Sequence, residues 1–145
     1  MTYIQEIVRV KQEFLISYNE RFKVISSNSA IEFATSIIGD EAREIVLLII
    51  MDCKNHVNCY QKIFIGDATT STCSIREILK AVLLANGTRF ILAHNHPSQD
   101  LTPSDSDIQM TKKLKTGSKQ VGVNFLDHLI VSASEGVSFQ ELKLL

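Results

Sequence analysis

Arg89-Phe90-Ile91-Leu92-Ala93-His94-Asn95-His96-Pro97-Ser98-Gln99-Asp100-Leu101-Thr102-Pro103-Ser104-Asp105-Ser106-Asp107 reads as a strand, a turn and a helix start in quick succession. Arg89 to Ala93 is a short apolar strand that ends at His94. Two residues apart on an extended backbone, His94 and His96 project to the same side. Pro97 then takes the chain out of the strand. Thr102-Pro103-Ser104-Asp105 is a helix start, with Thr102 as cap, Pro103 at the first helical position and Asp105 at the positive helix end. The helix is expected to run to about Gln120, with Ser104 and Asp107 neighbours on one face. The short Pro97–Leu101 loop folds that face back toward the histidines.

Two imidazoles and a carboxylate are a ligand set for a catalytic zinc, which keeps a fourth position for water. Magnesium is disfavoured because it prefers oxygen ligands. Taken singly, a histidine beside a loop is usually structural and a Ser-x-x-Asp usually caps a helix; packing alone does not account for the joint pattern.

Working outward, Glu44 opens the β-branched run Ile45-Val46-Leu47-Leu48-Ile49-Ile50-Met51, which stops at Asp52 and reads as a strand buried on both faces. From composition alone Glu44 is either a solvated charge beside Arg43 or a carboxylate with a task. Val57 to Ile65 is a second strand after a tight turn, closed by Gly66-Asp67. Upstream, Asn28 or Ser29 caps a helix from about Ala30 to Ile38, ended by Gly39. Downstream, Ser74 and Glu77 form a capping box for a helix from Ile75 to Ala85, with Asn86-Gly87 as terminus. Gly122-Val123 restarts a strand through Val131, and Ser138-Phe139 gives a last short piece. Ile4 to Tyr18 alternates in the manner of an extended ribbon. No repeat or linker marks a boundary, so residues 1–145 form one domain with a strand-like N-terminal extension over 1–28. Its class is α/β (α+β), a mixed sheet clasped by helices.

The 145 residues are 45% hydrophobic and 21% charged, with net charge −1, enough to bury a core without staples. No basic field is present to hold nucleic acid or an anionic membrane, so direct nucleic-acid binding is not expected. Lys112, Lys113, Lys115 and Lys119 read as a solvated helix face. Cys53, Cys59 and Cys73 include no Cys-x-x-Cys pair and read as free thiols of a reducing cytoplasm. The first residues lack the pattern of a secretory leader, and the longest apolar run is too short for a bilayer. A cytoplasmic protein is expected.

The upstream glutamate, His94-Asn95-His96-Pro97 and Ser104-x-x-Asp107 together resemble the JAB/MPN (JAMM) metalloprotease superfamily. More narrowly, Ala93 to Ser98, Pro103-Ser104, Asp127-His128-Leu129-Ile130, Ser138-Phe139 and Arg76-Glu77-Ile78 resemble its RadC-like branch, over roughly Ile31 to Phe139. The resemblance implies a cytidine-deaminase-like mixed sheet flanked by helices, with Zn2+ held by His94, His96 and Asp107. It implies Glu44 as the base that deprotonates the attacking water and then protonates the leaving amine, and Ser104 as hydrogen-bond donor to the oxyanion. The reaction would be hydrolysis of an amide bond in a peptide or isopeptide substrate. The alternative is a non-enzymatic RadC-like zinc-binding module associated with DNA repair or recombination. Gln99 stands where the branch carries glycine, so a different or less open loop is expected there. Longer relatives carry a helical, DNA-binding-like region ahead of this domain, which Met1 to Asn28 is too short to supply. An HNH nuclease reading rests only on the letters His94-Asn95-His96, and the paired motifs of a zinc deaminase are missing.

Overall fold

Every residue of Ile45-Val46-Leu47-Leu48-Ile49-Ile50-Met51 is buried, because the strand it forms lies inside the sheet with helices on both sides. This strand, β1 (Glu44–Met51), is joined by β2 (Val57–Gly66), β3 (Arg89–Asn95), β4 (Asn124–Val131) and β5 (Gly136–Ser138), in the spatial order β2-β1-β3-β4-β5. β1 pairs antiparallel with β2 and β3, β3 runs parallel to β4, and β5 returns antiparallel on β4. The sheet is therefore mixed. The computed structural model describes residues 3–8, 21–66 and 74–145.

Among the described residues three helices cover the sheet: α1 (Ser27–Ile38), α2 (Ile75–Leu84) and α3 (Asp105–Gln120). The two-residue period of the strands divides the core between its faces. Leu47, Ile49, Ile91, Ala93 and Leu129 pack with Ala30, Ala34 and Ile38 of α1. Leu48, Ile50, Phe90 and Leu92 pack with Ile78 and Val82 of α2 and Leu114 of α3. Removing each of these leucines and isoleucines from water contributes roughly 1.5–3 kcal/mol. α3 is the crossover between parallel β3 and β4, so its first turn emerges beside the end of β3. That connection positions the site.

Several boundaries differ from the expectation. α1 begins earlier, because Ser26 rather than Asn28 or Ser29 is the cap; Ser29 completes a capping box with it. Gly39 does end the helix, but with φ −62°. Glycine suits that position through close approach, since a Cβ there would lie 2.6 Å from the carbonyl oxygens of Ser132 and Thr35. At α2 no capping box forms; Ser74 makes no side-chain cap, and Glu77 pairs instead with Lys80 and Arg76. The α3 cap is Ser104, not Thr102, so Pro103 precedes the cap rather than occupying the first turn. The last strand is Gly136–Ser138, ending before Phe139. β3 runs on through His94 to Asn95.

In the expected N-terminal ribbon, residues 3–8 belong to no strand or helix, and residues 9–20 lie outside the described residues. Lys23 makes an isolated bridge to His56. Lys112, Lys113, Lys115 and Lys119 are all exposed on α3. Cys53 and Cys59 are free thiols, burial raising the Cys59 pKa, while Cys73 lies outside the described residues. Among the described residues no helix is long and apolar enough to cross a membrane.

Candidate metal centre

The end of β3, the start of β1 and the first turn of α3 meet at one place, and each brings its predicted residue. His94 and His96 approach through their Nε2 atoms, 2.9 Å apart. Asp107 sets Oδ1 3.4 Å from His94 Nε2 and Oδ2 3.7 Å from His96 Nε2. Glu44 stands beside them, with ligand-type atoms of Glu44, His94 and His96 all within 4.8 Å of one another. Side-chain exposure is 4% for His94, 19% for His96 and 17% for Asp107, so the cluster is lodged in the fold but open on one side. Glu44, His94 and His96 together could hold a metal ion, with Asp107 beside the two histidines.

Each donor is held by something else. Asp107 Oδ2 accepts from the Ser104 backbone N–H at 2.9 Å, while Ser104 Oγ accepts from the Asp107 N–H at 3.1 Å. Helix capping and aiming the carboxylate are thus one device. Ser104 Oγ also lies 3.1 Å from Ser106 Oγ. Burial pushes the Asp107 carboxyl pKa up, but the adjacent His94 and His96 imidazoles and the Ser104 N–H hold it far below the usual carboxylate range. The hydrogen bond to Asp107 in turn raises the His96 pKa, against desolvation.

His96 Nδ1 donates to the Asp100 carbonyl at 2.6 Å, leaving the Nε2 lone pair facing the cluster. The tautomer of His94 follows from a longer chain. Thr111 Oγ1 donates its one hydrogen to the Asp107 carbonyl at 2.7 Å, so at 2.6 Å from His128 Nδ1 it accepts. His128 is fully buried and its pKa is driven well below the ordinary value by desolvation. Neutral and protonated at Nδ1, His128 offers Nε2 as acceptor, and His94 Nδ1, 2.9 Å away, donates to it. The Nε2 lone pair of His94 therefore also faces the cluster.

A profile of the RadC-like JAB domain matches residues 24–144. The chain belongs to the RadC-like JAB domain family. A UPF0758 protein of Actinobacillus pleuropneumoniae serotype 5b (strain L20) is 40% identical over 106 residues, which cover 73% of this chain and 48% of that protein. One from Coprothermobacter proteolyticus is 35% identical over 130 residues, 87% of this chain and 55% of the relative. A third, from Chlorobium chlorochromatii (strain CaD3), is 32% identical over 142 residues, 98% and 64% of the two chains. The chain thus spans between 48% and 64% of the length of these relatives.

Gln99 of this RadC-like JAB domain takes φ +65°, the left-handed conformation that glycine adopts freely. Glycine would take this backbone in the loop without strain. The Gln99 side chain ties the loop down, Oε1 accepting from the Ala133 N–H at 2.9 Å, and the Gln99 backbone N–H donates to the His96 carbonyl at 2.8 Å.

Two residues of the site had no role assigned from sequence. His128 stood in the family-like Asp127-His128-Leu129-Ile130 string, yet its partner His94 is reached only through the parallel β3–β4 pairing, which matches Leu92 with His128. Asn95 sat between the two histidines and is wholly buried. A polar residue in each of two strands with buried interiors was the available signal.

Proposed function

We propose that this RadC-like JAB domain is a zinc-dependent metallohydrolase, a JAMM-type metallopeptidase or isopeptidase that cleaves an amide bond with an activated water. The observation that carries this reading is the spacing of the donor atoms. A tetrahedral zinc site with arms of about 2.0–2.1 Å has ligand-to-ligand edges of about 3.3 Å. The His94–His96, His94–Asp107 and His96–Asp107 separations of 2.9, 3.4 and 3.7 Å bracket that value. With an ion in place of the proton shared by the two Nε2 atoms, both would offer lone pairs, and Asp107 is ionised, as zinc ligands must be.

His94, His96 and Asp107 would hold the ion, which when bound supplies Lewis acidity toward water and the amide carbonyl. Glu44, beside the ligands but not tied to a helix cap, takes the proton of the attacking water and returns it to the departing amine. Ser104, with Ser106 as donor in their contact, keeps its hydroxyl hydrogen for the oxyanion of the tetrahedral intermediate; such a donor contributes a few kcal/mol (about 2.7–4) in a water-poor site. Peptide or isopeptide substrates follow from this chemistry.

The test is a peptide and isopeptide library screen on zinc-loaded protein, with and without chelator, beside a DNA-binding assay at physiological salt. Chelator-sensitive hydrolysis is the expected result. Bound zinc with salt-resistant DNA binding and no hydrolysis would replace this reading with that of a zinc-binding module in DNA repair or recombination.

A further inference from the structure

β3 carries His94 toward the metal cluster and His96 follows just past its end, so alternation sends Asn95, between them, to the opposite side of the strand. Asn95 is wholly buried there, and the three hydrogen bonds of its side chain go to the main chain of one short segment. Its Oδ1 accepts from the Ile45 N–H at 2.7 Å. Its Nδ2 donates to the Glu41 carbonyl at 3.2 Å and the Arg43 carbonyl at 2.9 Å. These partners bracket Glu44. The ladder between β1 and β3 ends at the pair Val46–His94, so Glu44 and Ile45 lie beyond the last pair on that side. The Asn95 side chain continues the pairing where the backbone ladder stops.

We propose that Asn95 is a positioning residue that fixes the Glu44 carboxylate relative to His94 and His96, a role that rests on the hydrolase reading above. The pattern of one acceptor and two donors matches a carboxamide. Aspartate would turn a second acceptor toward the Glu41 and Arg43 carbonyls, and alanine would leave the Ile45 N–H and both carbonyls unmatched. Asn95 is bonded covalently to one histidine on each side and hydrogen-bonded on each side of Glu44. One side chain thus couples the base to the ligands without touching a reacting atom.

The test compares Asn95→Asp and Asn95→Ala in the full chain with wild type, each checked for folding by circular dichroism. Zinc content and affinity should stay at the wild-type level, while kcat falls on the order of 100-fold with KM unchanged, the cost of a misplaced catalytic group. In a Glu44→Gln background the same substitutions should cause no further loss, since the group they position is gone. A loss that multiplies with that of Glu44→Gln, or a parallel loss of zinc, overturns the proposal. If zinc-loaded wild type hydrolyses nothing, the hydrolase reading fails and crystal structures of wild type and Asn95→Asp decide the clamp: a displaced Glu44 carboxylate upholds it, an unmoved one overturns it. If the variants do not fold, hydrogen exchange on wild type decides: an Ile45 amide as slow as those of Leu47 and Ile49 upholds the clamp, and a fast one overturns it.

Discussion

His128 Nε2 accepts the Nδ1 hydrogen of His94 at 2.9 Å, so one buried imidazole sets the tautomer of another. Behind it the Phe139 ring stacks on His128 at 4.5 Å, and Thr111 fixes the far nitrogen. Groups that orient a ligand in this way typically contribute 10–100-fold to metal affinity. His128→Ala is therefore expected to weaken zinc binding by roughly that factor, measured by competition with a chromophoric chelator. An unchanged dissociation constant in a folded variant would show that His94 needs no such support.

The metal-free chain should be most stable near pH 6.5, as judged from His96 and His128. For His96, the folded pKa lies above the ordinary 6.5, so its contribution is complete below that value and is lost as pH rises through the folded pKa. For His128, the folded pKa lies well below 6.5. Its unfolded form takes up a proton as pH falls below 6.5 while the buried ring does not, and stability falls with a slope of up to about 1.4 kcal/mol per pH unit. Urea unfolding in chelator across pH 5 to 8, on wild type and His128→Ala, checks this. The variant should lose most of the acid-side slope.

Gln99 holds a left-handed backbone against an ordinary preference of about 1–2 kcal/mol. Gln99→Ala keeps that cost and removes the bond to Ala133, so the unfolding free energy should fall by about 0.5–1.5 kcal/mol. Gln99→Gly loses the same bond but relieves the backbone, and its stability should lie close to wild type. Denaturation midpoints of the three proteins give the comparison. Equal losses in both variants would contradict it.

Gly39 ends α1 against the Ser132 carbonyl, with no room for a Cβ. Gly39→Ala should cost about 1–3 kcal/mol despite the better helix propensity of alanine. Thermal unfolding of the variant measures it, and a rise in Tm would mean that the close approach relaxes freely.

Sequence reading reached the elements and the His94, His96 and Asp107 group because those signals are local, whereas Glu44, fifty residues upstream, drew its role only from the family resemblance. The Ile45–Met51 run marks a doubly buried strand by composition alone, and His94, His96 and Asp107 lie close together in the chain. Ser104 was placed on the right helix but two residues from the position assigned, because Thr102, Ser104 and Pro103 all suit a helix start and only the Ser104–Asp107 reciprocal bonds choose among them. The α2 capping box failed for a similar reason: Glu77 has a nearer partner in Lys80. His128 and Asn95 act across strand pairings, on His94 and on the segment around Glu44. Such contacts depend on sheet order and register, which periodicity does not encode.

The most direct measurement is zinc content together with turnover for Glu44→Gln. With Glu44 as proton carrier and His94, His96 and Asp107 as ligands, the variant should hold the same zinc per chain as wild type. Its chelator-sensitive hydrolysis should fall by about 100- to 10,000-fold. Unchanged turnover with full zinc would remove Glu44 as the base, and loss of zinc would make it a ligand; either result contradicts the account.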